Sequence, residues 1–185
     1  MIKVTIIDGS PREDGNTETL LRQIGKEADG KADGVYYFKL SKVNINFCRG
    51  CFHCRPTGEC IQKDEMDTLI NAIQQSSIVV VGSPVYMGHV SGQMKVFMDR
   101  LCRLLTPDFK SRLNGTKRAL FVYTHGNPDP DIWLDYFQYL ERMFGFLGFQ
   151  PSGRVVAAGT RDRKDIMRQQ DTISRAKQLI EGHLK

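Results

Sequence analysis

Ile78-Val79-Val80-Val81-Gly82-Ser83-Pro84-Val85-Tyr86-Met87-Gly88 is the stretch that decides the fold. Four consecutive apolar, mostly β-branched residues fit a strand covered on both faces, as in a parallel sheet between helical layers. The strand is expected to stop at Gly82-Ser83-Pro84, a cluster of turn-forming residues. Just upstream, Asp64 suits the N-cap of a helix carrying Leu69, Ile70 and Ile73 on one side. Just downstream, Ser91 suits the cap of a helix striped by Met94, Phe97, Met98, Leu101 and Leu105.

The same alternation continues to both ends. Val4 to Ile7 forms a first strand, broken by Asp8-Gly9-Ser10-Pro11 and followed by a helix with Leu20, Leu21, Ile24 and Ala28 on one face. Asn16 or Thr17 can cap that helix. Gly34 opens a second strand through Phe38. Arg118 to Tyr123 reads as a fourth strand, ended by Thr124-His125-Gly126-Asn127, and Val155 to Ala157 as a fifth. A helix is expected over about Asp131 to Leu147 and a last one over Ile166 to Leu184. In the former, Trp133, Phe137, Leu140, Phe144 and Leu147 make a core stripe. Tyr136, Tyr139, Met143 and Phe146 crowd its flanks, a surplus that a subunit contact explains.

These elements predict one α/β domain over residues 1–185, a three-layer sandwich around a five-stranded parallel sheet of order 2-1-3-4-5. In that order a ligand crevice lies at the carboxyl ends of strands one and three. Loops after strands one, three and four project from that edge.

Bulk properties agree. The chain has 185 residues, 41% hydrophobic and 25% charged, enough for a single core without staples. Net charge is +5. The basic residues are scattered apart from Arg161, Arg163, Lys164 and Arg168, and no nucleic-acid-binding pattern accompanies them. No apolar run approaches the ~20 residues of a membrane span, and the first segment does not read as a signal peptide. The expectation is a cytoplasmic protein, binding neither nucleic acid nor membrane.

Gly9-Ser10-Pro11-Arg12 to Gly15-Asn16-Thr17 lies between the first strand and first helix, where backbone amides favour an anion. Ser10, Asn16 and Thr17 add polar donors and Arg12 a guanidinium. Neither GxGxxG nor GxxxxGK occurs, which excludes a dinucleotide fingerprint and a P-loop. A plain polar turn before a capped helix is the bland alternative.

Taken together, this loop, Gly82 to Gly88, Ser91-Gly92-Gln93-Met94-Lys95 and Phe97-Met98-Asp99-Arg100 closely resemble the NAD(P)H-dependent FMN reductase family of flavodoxin-like proteins. The resemblance implies that Ser10, Arg12, Asn16 and Thr17 hold the FMN phosphate. It implies that Pro84, Val85, Tyr86, Met87 and Gly88 lie against the isoalloxazine. His125 and Gly126 would border the pyrimidine edge, where a cationic or hydrogen-bonding histidine can stabilise negative charge on reduced flavin.

Cys48, Cys51, Cys54 and Cys60 follow C-x2-C-x2-C-x5-C within an irregular segment at about 42–63. Such compact spacing suits an iron–sulfur cubane; zinc, or thiols left free or oxidised in pairs, are the alternatives. Asn46 to Cys54, Gly58-Glu59-Cys60 and Asp64-Glu65-Met66 resemble the iron–sulfur flavoprotein branch, which implies a 4Fe-4S cluster on these four cysteines. His53 reads as a neighbour and Cys102 as a buried small hydrophobe.

The expected protein is thus an FMN-dependent oxidoreductase with NAD(P)H or a ferredoxin-type donor, a small-molecule or protein acceptor, and a cluster as relay. The branch resemblance implies a homodimer or homotetramer. A non-catalytic electron carrier, a simple reductase without a cluster and a zinc-stapled nucleic-acid module are the alternatives.

Overall fold

The computed structural model describes residues 1–185. In chain order the elements are β1 (Lys3–Asp8), α1 (Asn16–Ala28), β2 (Gly34–Lys39), α2 (Cys54–Thr57), α3 (Met66–Gln75) and β3 (Ile78–Tyr86). There follow β4 (His89–Val90), α4 (Gly92–Arg100), β5 (Lys117–Thr124), α5 (Leu134–Phe146), β6 (Phe149–Ala157) and α6 (Gln170–Glu181). The five long strands are parallel and ordered β2-β1-β3-β5-β6, which is the expected 2-1-3-4-5 order. A sixth, β4, folds back antiparallel on the end of β3.

Alternation along each strand sorts side chains onto two faces. Ile7, Val79, Val81 and Phe121 pack with α3, α4 and α5 through Leu69, Met94, Phe97 and Phe137. Ile6, Val80, Leu120 and Val122 pack with α1 and α6 through Leu21, Ile24, Ile173 and Ile180. The apolar run of β3 is buried on both sides, as its composition demands.

Several boundaries differ from expectation. Gly82-Ser83-Pro84 does not stop β3, because Gly82, Ser83 and Pro84 pair with Val122, Tyr123 and Thr124 of β5. Gly82 also makes room for α1: a Cβ there would lie 2.5 Å from Leu21 Cδ1. Gly15, not Asn16 or Thr17, occupies the N-cap position of α1, since both side chains are bonded elsewhere. Glu65 occupies that position for α3, although the Asp64 carboxylate accepts the Met66 amide at 3.2 Å. Ser91 caps α4 as expected, accepting the Met94 amide at 3.1 Å.

The expected helix running on to Leu105 ends at Arg100 and tightens into a 3-10 turn over Leu101–Leu104. The terminal helix is likewise split, with a 3-10 turn at Asp165–Arg168 before α6, which ends at Glu181. β6 begins at Phe149, six residues before Val155; a register shift opposite Ala119/Leu120 accommodates Pro151 and Gly153. In α5, Phe137, Leu140 and Phe144 are buried, whereas Tyr139 and Phe146 remain 51% and 50% exposed beside a groove of ≈ 470 Å³.

Candidate functional site

The carboxyl ends of β1, β3 and β5 meet the loop after β6 around a polar cleft of ≈ 290 Å³. Ser10, Arg12, Asn16, Thr17, Pro84, Val85, Tyr86, His125 and Gly126 all line it. Met87 and Gly88 do not. They form the tip of the β3–β4 hairpin, both with left-handed backbone (φ 49° and 80°), and Met87 is 98% exposed. A Cβ on Gly88 would lie 3.2 Å from Trp133, so the aromatic ring of that neighbour supports the hairpin tip.

Three lining residues escape the motifs: Thr124, Thr160 and Arg161. Arg161 stands in the basic cluster visible in the sequence, and Thr124 is the last residue of β5, just before the third loop. Their placement depends on long-range bonds. Asn16 Nδ2 donates to the Asp162 carbonyl at 2.8 Å while its Oδ1 accepts the Ile166 amide at 3.1 Å. The hydroxyls of Thr17 and Thr124 share a 2.7 Å hydrogen bond. Asn16 and Thr17 therefore assemble the cleft, tying α1 to β5 and to the loop after β6.

At the start of α1 the free donors are backbone amides. No side chain caps α1, so its first-turn amides point outward at the positive end of the helix. Arg12 is exposed at the rim, one guanidinium nitrogen donating to the Arg161 carbonyl at 3.1 Å. Beneath the loop, buried Asp8 accepts the Ser10 amide at 2.8 Å and the Tyr37 hydroxyl at 3.0 Å. Burial pushes its carboxyl up to about 6, against the pull of the Ser10 amide, Lys39 and Tyr37. Ser91 ties the loops together. Its hydroxyl donates to the Gly9 carbonyl at 2.6 Å, and its amide donates to the Ser83 hydroxyl at 3.0 Å.

His125 is 4% exposed, and neither ring nitrogen has a hydrogen-bond partner. Leaving such atoms unpaired costs about 1–3 kcal/mol. Burial lowers the imidazole pKa from its ordinary value, with the negative charge of Asp129 opposing it. His125 is thus a neutral hydrogen-bonding group rather than a cation. An anion-seeking helix end, a neutral imidazole and a flat exposed tyrosine together fit a phosphate-bearing aromatic cofactor.

A second cavity, of ≈ 300 Å³, lies between the cysteine segment and residues 99–103. Cys48, Cys51, Cys54 and Cys60 all line it, and so does Cys102. Cys102 is therefore not a core hydrophobe: the 3-10 turn aims it at the cysteine segment, its Sγ 3.7 Å from that of Cys54. His53 is exposed and off the lining, consistent with a neighbour's role. An all-thiol donor set suits a soft metal or iron–sulfur cluster. No three Cys, His, Asp or Glu side chains converge at metal-holding distance in this conformation.

Arginines fix this segment. Arg100 donates to both carboxylate oxygens of Asp64 (2.7 and 3.0 Å) and to the Asn46 carbonyl at 2.8 Å, joining the two ends of the cysteine loop. Arg103 donates to the Gly58 carbonyl at 3.0 Å and pairs with Asp67.

The chain matches the NADPH-dependent FMN reductase family over residues 2–160. An iron–sulfur flavoprotein of Archaeoglobus fulgidus is 34% identical over 85% of this chain and 69% of its own length. The chain spans about half of two further iron–sulfur flavoproteins, from Clostridioides difficile (54%) and Methanocaldococcus jannaschii (51%). YwqN of Bacillus subtilis, described as an NAD(P)H-dependent FMN-containing oxidoreductase, is 31% identical over 97% of each chain. Among solved structures, an NAD(P)H:quinone oxidoreductase from Methanothermobacter marburgensis superposes with a TM-score of 0.78 at 13% identity. That match covers 100% of this chain and 98% of the other, and it establishes the shared fold.

Proposed function

The chain belongs to the NADPH-dependent FMN reductase family, and from that premise we propose that it is an FMN-dependent oxidoreductase. It takes electrons from NAD(P)H or a ferredoxin-type donor and passes them to a small-molecule or protein acceptor, through a 4Fe-4S cluster on Cys48, Cys51, Cys54 and Cys60. When bound, flavin accepts an electron pair and releases electrons singly, which a cluster can relay. The observation that carries the reading is the cleft itself, with nine motif residues around one cavity, the unpartnered buried His125 among them.

The chain's own residues supply binding and electrostatics. The α1 amides, Ser10 and Arg12 would hold the phosphate, with Asn16 and Thr17 fixing the loops that surround it. Pro84, Val85 and Tyr86 offer a flat wall for the ring. Neutral His125 would bond its polar edge, with Gly126 keeping the approach open; a Cβ there would lie 2.8 Å from Arg161 Cγ. Met87 and Gly88 act through the hairpin that carries Tyr86. A homodimer or homotetramer suits the half-exposed Tyr139 and Phe146, and a reducing cytoplasm suits five unpaired thiols. No helix is long and apolar enough to cross a membrane.

A simple reductase without a cluster is the second reading, favoured by the full-length match to YwqN and by thiols that do not converge. Anaerobic purification with iron and flavin counted separates the two: about four irons per chain supports the cluster, none removes it. His125→Phe should weaken FMN binding roughly 3- to 10-fold, the worth of one ordinary hydrogen bond, read by flavin fluorescence quenching. Failure of the unaltered chain to bind FMN overturns the proposal.

A further inference from the structure

We propose that Cys54 and Cys102 form a redox-active dithiol, an oxidation site that a peroxide converts to an intrachain disulfide whenever Cys54 is not engaged as a ligand. Forty-eight positions separate the two cysteines, yet their sulfurs stand 3.7 Å apart. A disulfide bond of about 2.05 Å needs those sulfurs to close by only about 1.7 Å, within the reach of side-chain rotation.

The approach is built into the fold. Cys54 opens α2 and Cys102 sits in the 3-10 turn after α4, and the residues that follow each cysteine lace the two segments together. Arg103 Nε donates to the Gly58 carbonyl at 3.0 Å, Arg55 donates to the Thr106 carbonyl at 3.2 Å, and Arg112 donates to the Arg55 carbonyl. Both thiols line the same open cavity, so a molecule as small as peroxide can reach them.

The chemistry balances with peroxide as oxidant. One thiol sulfur attacks the peroxide, the O–O bond breaks, and a sulfenic acid and one water form. The second sulfur then displaces the sulfenic oxygen as water, and the S–S bond closes. Two thiols lose two electrons and two protons, and one hydrogen peroxide becomes two waters. A small dithiol reverses the step.

One consequence rests on the cluster reading: Cys54 cannot be both a ligand and a disulfide partner, so oxidised and cluster-bearing states exclude one another. The full chain, metal-free and flavin-loaded, is exposed anaerobically to a slight excess of hydrogen peroxide, alkylated with N-ethylmaleimide and digested without reductant. Two of the five thiols should be lost, a Cys54–Cys102 cross-linked peptide should appear by mass spectrometry, and dithiothreitol should restore all five. Cys102→Ser should abolish that peptide while its circular dichroism stays unchanged. Alkylation of both Cys54 and Cys102, or cross-links confined to Cys48, Cys51 and Cys60, overturns the proposal.

A parallel sample is first supplied with ferrous iron and sulfide. Suppression of the cross-link in step with a broad visible absorption supports both readings. An undiminished cross-link with no absorption removes the cluster and leaves the dithiol standing. An undiminished cross-link in a sample that has gained the absorption refutes the exclusion.

Discussion

Replacing Arg100 with Met should destabilise the chain by about 3–5 kcal/mol at pH 7, the range for a buried ion pair stripped of one partner. Arg100 and Asp64 have side chains only 2% and 1% exposed. Burial alone would raise the Asp64 pKa. The Arg100 guanidinium and the amides of Asn46 and Met66 outweigh it and hold the carboxyl at about 2, below its ordinary 3.8. A depressed folded pKa gives stability that is fully present above 3.8 and is lost as pH falls through about 2. A shift of that size corresponds to roughly 2–3 kcal/mol at neutral pH. Arg100→Met removes most of that stabilisation, leaves a buried carboxylate with amide donors but no counter-charge, and strips a donor from the Asn46 carbonyl, so the full loss should exceed the linkage figure. Urea unfolding across pH 3–7 measures it. The deficit should shrink toward pH 3 as the stranded carboxyl protonates, and Asp64→Asn added to Arg100→Met should recover much of the loss. A deficit below about 0.5 kcal/mol at pH 7, within the scatter of ordinary surface substitutions, refutes the reasoning. So does a deficit that does not change with pH.

Asp8 carries the opposite sign. Its folded pKa of about 6 lies above the ordinary 3.8, so its contribution is full below 3.8 and is lost as pH rises through about 6. Asp8→Asn, which keeps an acceptor for the Ser10 amide, should unfold at higher urea than the unaltered chain at pH 7, by up to roughly 3 kcal/mol. Equal midpoints at every pH from 4 to 7 would falsify this. Gly82→Ala should cost about 1–3 kcal/mol by forcing a methyl against Leu21. Thermal melts with and without Leu21→Val check it, since the smaller partner should return part of the loss.

The sheet order was legible because each strand carries its own signal: apolar runs of the right length and turn residues at the correct ends. The first and third loops were legible for the same reason, and nine of their residues and β3's lie around one cleft. Where local chemistry competed with tertiary pairing, the sequence misled. Gly82-Ser83-Pro84 reads as a stop, but β5 offers it partners and Leu21 fills the space that a side chain would take. Cys102 reads as core because its neighbours are apolar. Only the turn after α4 reveals that it faces a cysteine 48 positions away. Thr160 and Arg161 join the cleft through bonds to the His125 and Gly126 carbonyls, each 35 positions away, which no local pattern encodes.

The broken register of β6 has a consequence for crowding. β6 is an edge strand, and an exposed edge of nine residues invites another chain to extend the sheet. Pro151 removes one amide from its donor row, and Gly153, at φ 143°, interrupts the regular extended backbone. Such an edge is a poor template for strand addition. Copies of the chain that meet at high concentration are steered away from fibrous, open-ended growth and toward closed contacts between side-chain surfaces.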